Sequence, residues 1–445
     1  MTVAQTFAEF GAQLPDQELT PEVIHHAKRA VVDWYAALLP GAIEAPATLL
    51  EQTMADDLDR GPARLASGRP ATPRTAALIN GAAAHTVEVD DIYREAIYHP
   101  GAPTIAAALA IAQAQDASGL TFLKAVVAGY EISTRIGAAL GRDHYRYWHN
   151  TGTVGTFGAA AAAASVLRLT ALPYSHALCT GATFAAGLQQ AFRMDSMSKP
   201  LHAGHAAQAG LMAAQMAASG ITGSLDVIDG ETGLGLAMGS GPDWSAATRT
   251  LGEVFHINSM TFKNHACCGH TFAPIDGALA LQQQLGVSVS SIRQIRLATY
   301  RPALDVAGNF HPVTAAEARF SVPFVVATAL LYGSVRLAAF TPERLADPAI
   351  RELMRRIELT VDPELDAAFP GQRAARVSME LDTGETHDFL QPTRHGDPES
   401  PLSDADLSDK FRELVDPVLG ESRAAQLLER LWHLDHCKHI QQLEQ

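Results

Sequence analysis

Two stretches built almost wholly from small residues constrain this chain more than anything else in it. Residues 155–169 read GTFGAAAAAASVLRL, and residues 204–219 read GHAAQAGLMAAQMAAS. Alanine favours helix and has little bulk, so two such helices can pack with their axes close together. Helices of this kind belong inside a large bundle, where every face meets a neighbour. They do not read as membrane spans, because alanine is too weakly apolar and Gln208 and Gln215 interrupt the second one. The 445 residues are 47% hydrophobic and 18% charged, which supplies a sizeable core and argues against disorder. That length suggests two domains, or one large domain with a satellite.

The rest of the chain divides by texture. Thr20-Pro21-Glu22 is a helix start, with a capping hydroxyl, a first-position proline and an acid in the first turn. Ile24, Ala27, Val31, Trp34 and Leu38 follow at helical spacing. Residues 104–114 and 120–140 are also helical in pattern. Residues 56–75, polar and rich in Gly, Pro and Arg, are expected to form a connection with a short turn. No segment before about residue 265 alternates like a strand. Beyond it, Ile295, Leu297 and Thr299 alternate with Arg296, Ala298 and Tyr300. Residues 357–362 and 377–381 do the same, and Asp382-Thr383-Gly384-Glu385 turns into 386–390. Helical patterns at 273–285, 315–331 and 342–355 lie between, and the chain is helical again over 403–445. The expected fold is mainly α, with a large helical domain from residues 1–267 and 396–445 and a smaller α+β lid domain over 268–395.

Net charge is −15, which argues against nucleic acid or an anionic membrane as partner. It does not exclude an anionic substrate, since a pocket can be locally basic. The four cysteines are Cys179, Cys267, Cys268 and Cys437, with no disulfide framework visible. The N-terminal residues carry acids where a signal peptide has a basic start and an apolar core. A cytoplasmic protein in a reducing compartment is expected.

Four stretches carry titratable chemistry. Residues 80–101, NGAAAHTVEVDDIYREAIYHPG, place four acids (Glu88, Asp90, Asp91 and Glu95), His85, His99 and the aromatic-basic pair Tyr93-Arg94 around a turn. This suits proton transfer, or a capped loop with solvated acids. Residues 144–150, HYRYWHN, set His149 and Tyr145 before a small-residue helix whose N-terminus would welcome a carboxylate, or else form an aromatic plug. Residues 197–205, MSKPLHAGH, offer Lys199, His202 and His205 ahead of the second alanine helix. There Lys199 is a carboxylate ligand, an acid/base group, or a snorkelling surface lysine. Residues 263–270, KNHACCGH, hold Lys263, His265 and two cysteines, but no CxxC or HExxH spacing, so a hinge with charged anchors fits better than a metal site. His433, His436, Cys437 and His439 read as harmless terminal residues. The glycines of 233–239 fail GxGxxG at Met238, no GxxxxGK[ST] occurs, and the serines lack a GxSxG elbow.

Taken in order, these stretches resemble the MmgE/PrpD family. The likeness is carried by residues 80–103, 149–164, 198–210, 229–233, 263–271 and 317–333, the last reading EARFSVPFVVATALLYG, and so covers most of the chain. It implies a large helical domain with an α+β lid domain, a homodimer, and metal-free, cofactor-independent lyases or isomerases of small polycarboxylates. Carried over by position, Asp90, Asp91, His99, His149, Lys199 and Lys263 match the family pattern.

Several positions depart from that pattern. The decarboxylase-like relatives have aspartate where Glu88 stands, threonine at Ile92, histidine at Cys268 and tyrosine at Phe324. The dehydratases share that threonine and tyrosine. Two lost hydroxyls and a lost imidazole weigh against decarboxylation and against expulsion of a hydroxyl. The expectation is therefore an epimerase of an iminodisuccinate-type polycarboxylate, which removes and returns a proton alpha to a carboxylate. A 2-methylcitrate-type dehydratase and a catalytically silent polycarboxylate binder are the alternatives. In this reading Lys199 and Tyr145 or His149 transfer the proton. Asp91 and His99 orient the site, and Lys263, His265, His202, Asp90 and Arg94 bind substrate. No metal and no cofactor is called for.

Overall fold

The structure is a computed structural model that describes residues 1–192, 196–369 and 371–444. Its contacts divide it into two compact units, 1–261 with 403–445, and 262–402. The protein is mainly helical, with a smaller unit that contains the main sheet.

In the larger unit, Thr20 caps α1 (Pro21–Ala42) by accepting from the Val23 amide at 3.3 Å. Next come α2 (Pro73–Ala84), α3 (Gly101–Ala114) and α4 (Gly119–Tyr145). The two small-residue helices are α5 (Asn150–Val166) and α6 (Ser198–Ala218). Every residue of α5 is buried, so it is the central rod and α3, α4 and α6 pack around it. Side-chain size makes this possible. A Cβ on Gly155 would lie 2.6 Å from Pro103 Cγ on α3. A Cβ on Gly210 of α6 would lie 2.5 Å from the Thr156 carbonyl and 2.6 Å from Ala159 Cβ on α5. Chain after the smaller unit returns as Asp404–Leu419 and Glu421–Trp432, the first packing on α1. Gln445, the last residue of the expected terminal helical region, lies outside the described residues.

Four expectations shift, one of them the 342–355 pattern, which is two helices, Pro342–Leu345 and Pro348–Met354. Residues 56–75 do not merely connect: Leu58–Arg64 pairs antiparallel with Pro70–Ala71, with a register break between Leu58 and Ala63. Most of that strand is exposed, so no apolar alternation announced it. Helix α6 begins at Ser198, earlier than its alanine run, because Pro200 sits in the first turn where its missing N–H leaves no hydrogen bond unmade. The 315–331 pattern is two helices, Ala315–Arg319 and Val322–Tyr332. They are separated at Ser321, whose hydroxyl caps the second by accepting from Phe324 N at 3.2 Å.

The smaller unit holds a four-stranded sheet of β1 (Ile292–Thr299), β2 (Ile357–Val361), β3 (Ala375–Leu381) and β4 (Thr386–Gln391), in the order β2-β1-β3-β4. β1 and β2 run parallel, and the other pairs are antiparallel. The register aligns Ile295 with Ile357 and Met379, and Leu297 with Leu359 and Val377, which gives the sheet one apolar face. Helix Phe272–Leu285 covers it, with Gly277 against Val377.

At Gly210 a methyl group has no room, and both obstructing atoms belong to a helix that is buried throughout. Gly210→Ala is expected to destabilise the protein by about 1–3 kcal/mol. Thermal denaturation measures this, and an unchanged Tm would show that α5 and α6 can separate.

Candidate active site

Helix α2 ends at His85, whose imidazole is fully buried. Its Nδ1 donates to Asp90 Oδ2 at 2.7 Å, and His99 Nδ1 lies 3.3 Å from the same oxygen. The His85 and His99 rings meet edge to face at 4.8 Å. His149, the residue before α5, stacks on His85 at 5.4 Å and 21°. His149 Nδ1 is 3.1 Å from His202 Nδ1 on α6. Lys199, three positions before His202, forms an ion pair with Glu88. One irregular loop and the N-terminal ends of α5 and α6 thus bring together four imidazoles, two carboxylates and an ammonium.

The loop is held from several sides. Asn150 donates to the Ala96 carbonyl, and the His99 amide donates to Thr151 Oγ1 at 3.4 Å, which ties the loop to the start of α5. Lys410, 1% exposed on Asp404–Leu419, donates to Asp33 Oδ1 at 2.6 Å and to the Val89 carbonyl at 2.7 Å. Ile92 exchanges backbone hydrogen bonds with Thr261.

Asp90 and Asp91 are neighbours with opposite environments. Burial alone would raise the Asp90 carboxyl, but His85 and His99 outweigh it and hold it well below the ordinary range. Asp91 is pushed up to about 8, first by burial and then by the Asp33 charge. It accepts from the Tyr130 hydroxyl at 2.7 Å and from the Gly101 amide at 3.0 Å. A Cβ on Gly101 would lie 2.8 Å from Asp91 Oδ1, so only glycine lets α3 begin there. Burial, then the charges of His85, Lys199 and other histidines, drives His149 well below the usual imidazole value. Burial and His85 take His202 to about 4. At neutral pH His149 and His202 are therefore uncharged bases, and Asp90 is an anion.

The other expected residues fall as follows. Asp90, rather than Asp91, stands beside His99. Tyr145 is half-buried in the last turn of α4, where its neighbour His144 is the buried group, bonded to Thr153 Oγ1 at 2.7 Å. Arg94 is half-buried on the Arg94–Ala96 turn. His85 was visible in the sequence but not assigned a role. The structure places it at the centre of the cluster, and its position five residues before Asp90 was the only signal. Among the described residues, His85, Asp90 and His99 form the group whose donor atoms could take a metal ion, all within 4.8 Å. The Asp90 oxygen already lies at hydrogen-bonding distance from both rings, so a metal would have to replace those contacts.

In the smaller unit Lys263 and His265 are buried on loop 263–270. His265 Nε2 donates to Asp276 Oδ1 at 2.8 Å. Arginines fix this loop by its carbonyls: Arg336 to Asn264 at 3.3 Å, Arg319 to Ala266 at 3.1 Å and Arg394 to Gly269 at 3.4 Å. Cys267 Sγ contacts Thr271 Oγ1 at 3.0 Å, and His270 contacts Tyr300 Oη at 2.9 Å. Phe324 is fully buried, with the Phe340 ring at 6.3 Å and the Arg351 guanidinium at 5.6 Å.

The native state keeps a proton on Asp91 that an unfolded chain, with an ordinary carboxyl near 3.8, releases. Its contribution to stability is therefore full below pH 3.8 and is lost as pH rises towards 8. Asparagine copies the protonated carboxyl, its oxygen keeping the Gly101 amide and its NH2 meeting the Tyr130 oxygen. Asp91→Asn is expected to raise Tm relative to wild type at pH 8, at roughly 2–4 °C per kcal/mol, with the gain shrinking towards pH 4. Melting curves across that range measure it, and a pH-independent difference would contradict the assignment.

Comparison with known proteins agrees in both halves of the chain. The MmgE/PrpD N-terminal domain matches residues 5–247, and the MmgE/PrpD C-terminal domain matches 265–434. The cis-aconitate decarboxylase-like protein oryM of Aspergillus oryzae (strain ATCC 42149 / RIB 40) is 28% identical over 97% of this chain and 94% of its own length. Human cis-aconitate decarboxylase is 27% identical over 98% of this chain and 92% of its own length. The cis-aconitate decarboxylase of Aspergillus terreus (strain NIH 2624 / FGSC A1156) is 25% identical over 98% and 94%.

Proposed function

The chain belongs to the MmgE/PrpD family, and from that premise we propose that it is a lyase of a small polycarboxylate whose chemistry is proton transfer at a carbon next to a carboxylate. Its relatives are enzymes named for lyase reactions, which favours this class over the epimerase expected from sequence. The observation that carries the reading is the pairing of an uncharged, buried base, His149, with an imidazole held by an ionised carboxylate, His99 on Asp90. The first accepts a proton and the second supplies one. Lys199 provides positive charge for a substrate carboxylate.

In a dehydration, His149 takes the proton alpha to the carboxylate and the freed electron pair forms the C=C bond. The hydroxyl then leaves as water with the proton from His99. In a decarboxylation, the C–C bond to the departing carboxylate breaks, its electron pair stays on the substrate, and a proton from His99 quenches it. Both sequences balance in protons and charge. The Asp90 anion favours an imidazole that starts protonated.

Epimerisation remains a second reading because of two residues. Ile92 and Phe324 stand where the family pattern has hydroxyls, and Phe324 is fully buried. An epimerase needs the same abstraction by His149 but returns the proton without expelling a group.

One experiment separates these outcomes. The protein is incubated in deuterated water with cis-aconitate, with 2-methylcitrate, and with a single enantiomer of iminodisuccinate, and followed by proton NMR. A lyase releases CO2 or water. An epimerase incorporates deuterium at the alpha carbon with no loss of mass to a leaving group. Binding without either change would reduce the chain to a polycarboxylate binder and sink the proposal. His149→Gln is expected to lower kcat by about 10²–10⁴ for a dehydration or an epimerisation, in which His149 removes the proton, and to spare a decarboxylation. For those two reactions the acid limb of the pH–rate profile is expected below the ordinary imidazole value of 6.5, since the rate is lost only when His149 is protonated.

A further inference from the structure

The histidines of the larger unit form a series whose burial falls off in one direction. His85 is fully buried, His149 is 2% exposed, His202 is half-buried, and His205, one turn further along α6, is exposed. A base as deeply set as His149 can take a proton but has little contact with water through which to lose it. Of the groups around it, Lys199 is an ammonium paired with Glu88, and His85 is tied to Asp90 through Nδ1. His202 is different. Its Nδ1 lies 3.1 Å from His149 Nδ1, with the rings at 5.3 Å and 49°. Both imidazoles are held uncharged at neutral pH, chiefly by burial. Two neutral rings that meet through their Nδ1 atoms share one proton, so one donates and the other accepts.

The backbone holds this contact in place. The His149 amide donates to the Gly187 carbonyl at 2.9 Å. Gly187 has a φ of 133°, and a Cβ there would lie 3.2 Å from His202 Cγ and Nδ1. A Cβ on Gly152 would lie 3.1 Å from His202 Cβ. Two glycines thus leave the room in which the His202 ring sits against His149.

We propose that His202 is the second member of a proton relay, which discharges His149 towards solvent while the product is still bound. This rests on the reading of His149 as the base and deepens it. In the resting site His149 donates its Nδ1 proton to His202 Nδ1. When the substrate C–H bond breaks, its electron pair stays with the substrate and the proton adds to His149 Nε2. The Nδ1 proton of His149 crosses to His202, and His202 gives the proton on its own Nε2 to water. One proton leaves the substrate and one reaches solvent. After the product departs, His202 takes a proton from water at Nε2 and returns its Nδ1 proton to His149, which releases its Nε2 proton into the vacated site. The role expected for His202 from sequence changes accordingly, from a substrate ligand to a group behind the base.

Two variants of the full-length protein test this. His202→Gln keeps an acceptor for the His149 N–H but cannot carry a proton onward. With a substrate whose turnover requires His149, it is expected to lower kcat by about 10²-fold while KM and Tm hold. In His202→Ala the space between Gly152 and Gly187 is open, and added imidazole is expected to restore kcat up to saturation, while wild type does not respond. Pyrazole, a ring of the same size and much weaker basicity, is expected not to restore it. Wild-type kcat in His202→Gln, no rescue of His202→Ala by imidazole, or equal rescue by pyrazole would overturn the relay while leaving His149 as the base. Full activity of His149→Gln would overturn the base and the relay with it. If the His202 variants fail to fold, nitrogen-15 spectra of histidine-labelled wild type decide the point. His149 is expected as the Nδ1–H tautomer and His202 as the Nε2–H tautomer, and the reverse assignment would overturn the relay.

Discussion

A buried anion in a protein must be compensated, and Asp90 is compensated by two imidazoles on one oxygen. Much of the candidate site follows from that. His85 ends α2 where its ring can reach Asp90, and His99 must come back across the loop to the same atom. With these two rings fixed, His149 can only stack against His85, and the positive neighbourhood together with burial keeps it an uncharged base. In the proposed reaction the acid is thus held by the Asp90 carboxylate, while the base is kept uncharged chiefly by burial.

The pairing recurs. His265 on Asp276 is also a buried ring tied to an acid through one nitrogen, and in both pairs the second nitrogen, His85 Nε2 or His265 Nδ1, is buried without a hydrogen-bond partner among the described residues. The scaffolds that carry the pairs differ. His85 lies at a helix end and is positioned by helix packing, while His265 rides on a loop whose carbonyls are clamped by arginines. The same local chemistry has been reached from a helical bundle and from a sheet-based unit.

The architecture was legible because size and periodicity are properties of the sequence itself. A run of Ala and Gly can only be a helix packed on all sides, and α5 is buried throughout. The alternation at 295–299 could only be a strand, and its partners fell on 357–361 and 375–381. The site was legible by region but not by role. Asp90 and Asp91 are adjacent in a loop where Glu88 takes a left-handed φ of 63°, so no period tells which acid faces the histidines. His85 looked like the tail of a small-residue helix. The Lys410–Asp33 pair, 377 residues apart, has no local signature at all. What escaped the sequence were contacts between distant segments and side-chain directions in irregular backbone.

That distant pair sets an order of events during synthesis. Asp33 and Val89 leave the ribosome early, but the cation that neutralises one and anchors the other emerges only after the whole 262–402 unit has been made. Until then a buried carboxylate in α1 lacks this counter-charge and the loop bearing Asp90 lacks its deepest tether. A nascent chain can therefore have made most of the helical bundle while the loop that carries Asp90 still waits for its tie to Asp404–Leu419.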